Sequence, residues 1–256
     1  FAEFLPISSA GHLLLIEHWL KLPQNSLTFD LALNLGTLLT IIVYFRKDVC
    51  LVIKEAISII TLKPTSYSNL LITKLFIATI PVVIVGYLLV HFKLENILRS
   101  NHLILAVCLI IFGIILYLAD IFSKSSTSFN QISYKNAFVI GITQCLALIP
   151  GVSRSGSTIT AARLSKINKQ DAVRFSFLMA IPSTFGAVLL AGLHGVKQGI
   201  NFQLVDISLG VIFSFLFGLL FIHILLKFIA NHSFMIFMIY RVILGLLIIL
   251  FVSLQI

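Results

Sequence analysis

The sequence predicts an all-α integral membrane protein: about six transmembrane helices plus two opposed re-entrant helical hairpins, related as an inverted repeat. Three observations carry this expectation. Only 11% of the 256 residues are charged, against about 25% in a soluble domain, so the outer surface must lie largely in lipid. Hydrophobic residues make up 59% and the mean hydropathy is +1.09, concentrated in runs long enough to cross a bilayer. Two further segments are too polar at their centres for spans and too apolar at their flanks for loops. A disordered chain is excluded as well, because 22 Phe and long Leu/Ile runs bury readily.

Taken in order, the chain opens at Phe1 without Met and inside a motif, so it reads as truncated and a targeting segment cannot be read from it. Segment 1–29 is the first hairpin. Apolar spans follow at 31–45 (short), 72–92 and 102–122, separated by basic stretches at 46–71 and 93–101. The Ser-rich stretch 123–135 leads to the second hairpin, 136–172. Its apolar arm, Ala137 to Ile149, rises about 20 Å, enough to reach mid-membrane but not to cross. Pro150-Gly151 then breaks the helix, and non-helical backbone at that depth needs a protein or watery lining. Three more spans, 174–193, 205–226 and 234–254, complete a single polytopic domain, with repeat units over about 1–125 and 136–256.

The two hairpins echo one another. Leu5-Pro6-Ile7-Ser8-Ser9-Ala10-Gly11-His12 resembles Ile149-Pro150-Gly151-Val152-Ser153-Arg154-Ser155-Gly156-Ser157. Each copy precedes three spans, and an odd number of crossings makes the hairpins enter from opposite faces. Counting bases orients them. Loops 46–74, 123–135, 160–174 and 227–233, together with Arg241, hold 13 of the 18 bases. Lys21, Lys93, Arg99 and Lys197 fall on the other side. The second hairpin therefore enters from the cytoplasm and the first from outside.

The +9 net charge does not indicate nucleic acid, because the bases stand singly between apolar runs. Cys50, Cys108 and Cys145 have no metal-ligand or CxxC spacing and read as buried hydrophobes. The chemistry lies instead with ionisable residues at membrane depth, where they are costly: Glu3, His12 and Arg154, with Glu17, His18 and Asp30 nearer an interface. Around Arg154 stand Ser153, Ser155, Gly156, Ser157 and Thr158 at a helix start, the composition of an anion site. Ser and Gly alone also suit close helix packing, but packing does not call for the Arg. Glu3, Ser8, Ser9 and His12 supply carboxylate, hydroxyl and imidazole for displacement at phosphorus, and Glu3 could equally hold a divalent cation. Facing each other across the midplane, the two sets point to hydrolysis of a lipid-borne phosphate. An inverted-repeat lipid or anion transporter or flippase fits the same topology. The acid-phosphatase-like lipid phosphatases fit less well, since their Lys-x6-Arg-Pro run is absent.

The runs Glu3–His12 and Pro150–Thr158 are similar to the two signature motifs of the bacterial undecaprenyl-diphosphate phosphatases, the bacitracin-resistance family. Phe29–Leu38, Tyr44–Asp48 and Gly141–Leu148 extend the resemblance over essentially the whole chain. It implies a multi-pass enzyme of the bacterial inner (plasma) membrane. The implied reaction converts the C55 isoprenyl diphosphate, undecaprenyl diphosphate, to its monophosphate plus phosphate. That step recycles the lipid carrier for peptidoglycan synthesis and confers bacitracin resistance. The resemblance further implies a divalent cation, Mg²⁺ or Ca²⁺, and it leaves room for a homodimer. By motif, Glu3, Ser9, His12 and Arg154 take the catalytic roles, Ser8, Ser153, Ser155, Gly156 and Thr158 bind phosphate, and Glu3 holds the metal. The family's first motif carries a further Glu four residues before the position of Glu3, ahead of Phe1; Gln144 stands at the corresponding place in the second repeat. A protein that truly began at Phe1 is expected to bind metal weakly and turn over little.

Overall fold

The computed structural model describes residues 2–20, 27–62, 70–92, 101–197 and 204–254. Lys21, Lys63, Lys93 and Arg99, used in counting charge, lie outside the described residues. Ten α-helices occur among those described: α1 (Ser9–Leu20), α2 (Leu27–Tyr44), α3 (Arg46–Ile60), α4 (Leu71–His91), α5 (His102–Phe122), α6 (Tyr134–Gln144), α7 (Arg154–Leu164), α8 (Lys169–Lys197), α9 (Leu204–Asn231) and α10 (Met235–Leu254). Helices α4, α5, α8, α9 and α10 are long and apolar enough to cross a membrane. Helix α2 is the sixth apolar helix, and it continues into α3 after a bend of 86°. The protein is an all-α membrane protein.

Several expected loops are folded. Segment 46–71 begins with α3 rather than a basic linker. The reason is amphipathic packing: Val49 and Val52 lean on the main core, while Asp48 is buried against Arg174 of α8. Segment 160–174 contains only a short link, because α7 runs to Leu164 and α8 already starts at Lys169. That link is tied by the Asp120 carboxylate at the end of α5. It accepts from Arg163 Nε at 3.0 Å, pairs with Lys169 Nζ at 3.3 Å and accepts from the Phe234 N–H at 3.3 Å. The Ser-rich 123–135 stretch is not a loose linker either. Phe129 is buried beneath the Arg174 guanidinium, whose carbon lies 3.9 Å from the ring centroid, and the Phe129 N–H donates to Asp171 at 3.0 Å.

With lipid outside, helices gain little from burying apolar faces against each other, so close approach decides their pairing. Ser214 Oγ of α9 donates to the Leu33 carbonyl of α2 at 2.9 Å, and Thr40 Oγ1 of α2 to the Phe215 carbonyl at 3.2 Å. Along α4, a Cβ added at Gly141 of α6 would sit 2.3 Å from the Ala78 carbonyl oxygen. The main core gathers Phe4 and Ile7 with Phe175, Phe177, Met179 and Ile229. A second cluster joins Leu15 of α1 to Leu105 and Leu109 of α5 and Leu244 and Ile248 of α10.

Candidate active site

Two short backbone turns build the site. The second begins where α6 ends at Gln144, passes through a 3-10 turn (Cys145–Leu148), and breaks at Pro150-Gly151 before α7, as the apolar-arm length and the Pro-Gly pair predict. Gly151 has φ +90, and a Cβ there would lie 2.2 Å from the Leu105 carbonyl oxygen, so only glycine fits. Ser153 then takes φ 71 as the cap of α7, its hydroxyl accepting from the Gly156 N–H at 3.2 Å. The first turn has the same form: Ser8 takes φ 67 immediately before α1. Ser8-Ser9-Ala10-Gly11 and Ser153-Arg154-Ser155-Gly156 therefore occupy matching places, a non-glycine residue in left-handed backbone followed by a helix start. Such conformations cost of order 1–3 kcal/mol and cluster at functional sites.

Matching backbones carry different side chains, and these meet. One oxygen of Glu3 accepts a short hydrogen bond from Ser9 Oγ. Its other oxygen is 3.7 Å from Nη2 of Arg154 in the opposite turn. Arg154 Nη1 is buried and has no hydrogen-bond partner among the described residues. It is a charged donor held out for an acceptor that a phosphate would supply. The turns touch through main chain too, as Ser155 Oγ, 3.3 Å from Ser153 Oγ, donates to the Leu5 carbonyl at 3.4 Å. Glu3, Ser9, Arg154, Ser153 and Ser155 are thus brought together, with Gly156 and the Ser8 backbone beside them.

One expected site residue turns elsewhere. Thr158 is fully buried; its hydroxyl donates to the Arg154 carbonyl at 2.9 Å and meets Ser176 Oγ of α8 at 2.6 Å. One turn beyond the helix start, its side chain faces α8 and not the turn, so it latches α7 onto α8. His12, one helical turn beyond Ser8, joins α1 to α10. Its Nδ1 donates to the Ser8 carbonyl at 2.8 Å, and its Nε2 lies 2.6 Å from the Tyr240 hydroxyl of α10. For a cation, Glu3 supplies one half-exposed carboxylate; among the described residues no group of three His, Cys, Asp or Glu side chains comes together. One carboxylate still fits a Mg²⁺-type ion, which is commonly held by one or two carboxylates plus substrate phosphates and water.

The chain matches the family described as Bacitracin resistance protein BacA over residues 1–247. It belongs to that family. A protein of Geobacter metallireducens named undecaprenyl-diphosphatase is 40% identical over 251 residues, covering 98% of this chain and 93% of the relative. One of Trichlorobacter lovleyi with the same name is 42% identical over 244 residues, covering 95% and 89%. A third, from Pelagibacter ubique and also so named, is 38% identical over 246 residues, covering 96% and 91%.

Sequence reasoning missed the residue that organises this BacA-family site. Arg241 was counted among the cytoplasmic bases, yet it is fully buried in α10 and reaches the two turns. Its Nη2 donates to the carbonyls of Gly151 at 2.9 Å, Val152 at 3.0 Å and Cys108 at 3.4 Å. Its Nε donates to Leu109 at 3.0 Å, and Nη1 to Pro6 of the first turn at 3.4 Å. The broken backbone leaves carbonyls without helical partners, and one planar guanidinium donates to Pro6 of the first turn and to Gly151 and Val152 of the second while bracing on Cys108 and Leu109 of α5. A lone Arg inside the apolar run 234–254 was the available signal. Removing it from the charge count leaves twelve bases against four, so the inferred orientation keeps its sign. Gly156 leaves room for this group, since a Cβ there would lie 2.8 Å from Arg241 Nη1.

Proposed function

We propose that this chain is an undecaprenyl-diphosphatase of the bacterial plasma membrane. It hydrolyses undecaprenyl diphosphate to the monophosphate and phosphate, recycling the carrier for peptidoglycan synthesis and conferring bacitracin resistance. The observation that carries this reading is the Ser9–Glu3–Arg154 line across the two turns, placing a hydroxyl, a carboxylate acceptor and a guanidinium with one uncommitted nitrogen in the same place.

Each group has a role set by its contacts. Arg154 binds the diphosphate, its Nη1 donating to a phosphate oxygen while the start of α7 presents its N–H groups and dipole to the same charge. Ser153 and Ser155 add hydroxyl donors at the turn. Glu3, already accepting from Ser9, takes the proton of the attacking oxygen as the bond to the terminal phosphorus forms and the bond to the bridging oxygen breaks. The attacking oxygen is that of a water that Ser9 orients, or Ser9 Oγ itself, in which case a water then cleaves the phosphoserine to release phosphate and restore the hydroxyl. His12 stands one helical turn further along α1 as the acid–base partner of this set. A divalent cation, when bound, neutralises phosphate charge, and Glu3 would hold it.

The repeat relation supports opposed entry of the two turns: the first opens to the outside, where the diphosphate is presented, and the second rises from the cytoplasmic side. Purified protein in detergent is expected to release phosphate from undecaprenyl diphosphate, with loss of release on chelation of divalent cations. Glu3→Gln and Arg154→Ala are expected to lower it about 10²–10³-fold with folding intact. Binding of the diphosphate lipid without any release by the wild type would overturn the enzyme reading and favour a transporter.

A further inference from the structure

Tyr240 stands next to Arg241 in the middle of α10, and the two side chains divide the turns between them: Arg241 holds the backbone, Tyr240 holds His12. The Tyr240 hydroxyl is 2.6 Å from His12 Nε2, and the two rings lie nearly parallel, 10° between planes with centroids 5.5 Å apart. On its other side, His12 Nδ1 is 2.8 Å from the Ser8 carbonyl. A carbonyl can only accept, so Nδ1 carries a proton; in the neutral ring Nε2 is then an acceptor, and the phenol is its donor. Both nitrogens being fixed, the ring has one orientation and one tautomer. Ser8 belongs to the first turn and Tyr240 to α10, so the two clamp the imidazole jointly.

We propose that Tyr240 is the positioning residue for His12 in the phosphoryl reaction. This inference rests on the proposed hydrolase function. A phenol two bonds of rotation from a rigid helix is a low-entropy anchor for the half-buried imidazole. A Tyr serving only as an interfacial anchor would face the headgroup region with its hydroxyl. Here the hydroxyl instead points at the imidazole of a different helix.

The test compares Tyr240→Phe and Tyr240→Leu with wild-type protein in detergent, using undecaprenyl diphosphate as substrate. Tyr240→Phe keeps the ring and removes only the donor. It is expected to lower kcat about 10–100-fold with KM within about twofold, less than the roughly 10²–10⁴-fold that a positioned acid–base group itself supplies, because His12 remains. Tyr240→Leu is expected to lower kcat at least as far, with thermal midpoints of both variants near wild type. In parallel, the ¹⁵N resonance of His12 Nε2 is expected to move on Tyr240→Phe, assigned by its disappearance in His12→Gln. If the wild type releases phosphate and Tyr240→Phe has wild-type kcat, the inference is wrong and the hydrolase reading stands. If the wild type releases none, the hydrolase reading fails. The ¹⁵N signature then decides the contact on its own: an unmoved Nε2 resonance overturns it.

Discussion

The two broken turns share one backbone device, a left-handed Ser just before a helix start, and have opposite surroundings. In the second, every residue from Ser155 to Arg163 is buried, and α7 is enclosed by α5, α6 and α8. In the first, Ser9, Ala10, His12, Leu13 and Leu14 are half-buried, and α1 rests mainly on α5 and α10. The enclosed turn carries the guanidinium and the caps that recognise an anion. The half-open turn carries the carboxylate, hydroxyl and imidazole that can exchange protons. The difference teaches that one backbone device, a left-handed Ser before a helix start, can be specialised by its packing: dry surroundings make a rigid binding site, and partial access makes a reactive one.

Substitutions can break or sharpen this contrast. The largest effect is expected from Arg154→Ala, which removes the ion pair from Glu3 to the enclosed turn; kcat/KM should fall about 10³-fold, measured as phosphate release. Glu3→Gln should cost about 10²–10³-fold, mainly in kcat, because Ser9 keeps a partner but loses a proton acceptor. Ser9→Ala sharpens the chemistry. Near-normal turnover would exclude Ser9 as a covalent nucleophile, whereas a trapped phosphoserine would establish it.

The glycines at matching places should then differ. Gly156→Ala puts a Cβ 2.8 Å from Arg241 Nη1 and is expected to cost about 1–3 kcal/mol of stability. Gly11→Ala meets Leu109 Cδ1 at 3.1 Å and Leu244 Cδ2 at 3.2 Å, both methyls able to yield, and should cost less than about 1 kcal/mol. Thermal unfolding in one detergent ranks the pair; equal losses would remove the asymmetry. The smallest effect is expected for Thr158→Val, which loses the Ser176 contact, costs about 1 kcal/mol and leaves the rate within about threefold. A large loss of rate there would put Thr158 back among the phosphate contacts.

What was legible in the sequence follows from the range of the interaction that records it. Spans are recorded by local composition, so 72–92 and 102–122 fall within a residue of α4 and α5. The break at Pro150-Gly151 was legible because those residues have local backbone consequences. Helix α3 was not, because its burial depends on Asp48 finding Arg174 far along the chain, and a basic stretch looks like a solvated one until its partner is known. In the site, Glu3, Ser9 and Arg154, which the structure brings together, stood out because charge and hydroxyls are conspicuous in an apolar chain. The contact of Thr158 with Ser176 was not legible because it depends on helical phase, which residue type alone does not convey. Tyr240 gave no signal: an aromatic in an apolar span is ordinary, and its contact with His12 joins opposite ends of the sequence.

The carbonyl cage of Arg241 has a consequence for how such a site can change over time. All five acceptors are main-chain oxygens, which almost any amino acid provides. Gly151 apart, where only glycine fits, the registration of one turn against the other therefore depends little on the identity of the residues whose oxygens are used. Side chains around the seam can be exchanged, one set drifting towards anion recognition and the other towards proton transfer, without loosening the joint between them. A single arginine thus separates the heritable geometry of the site from its chemistry, and leaves the chemistry free to vary.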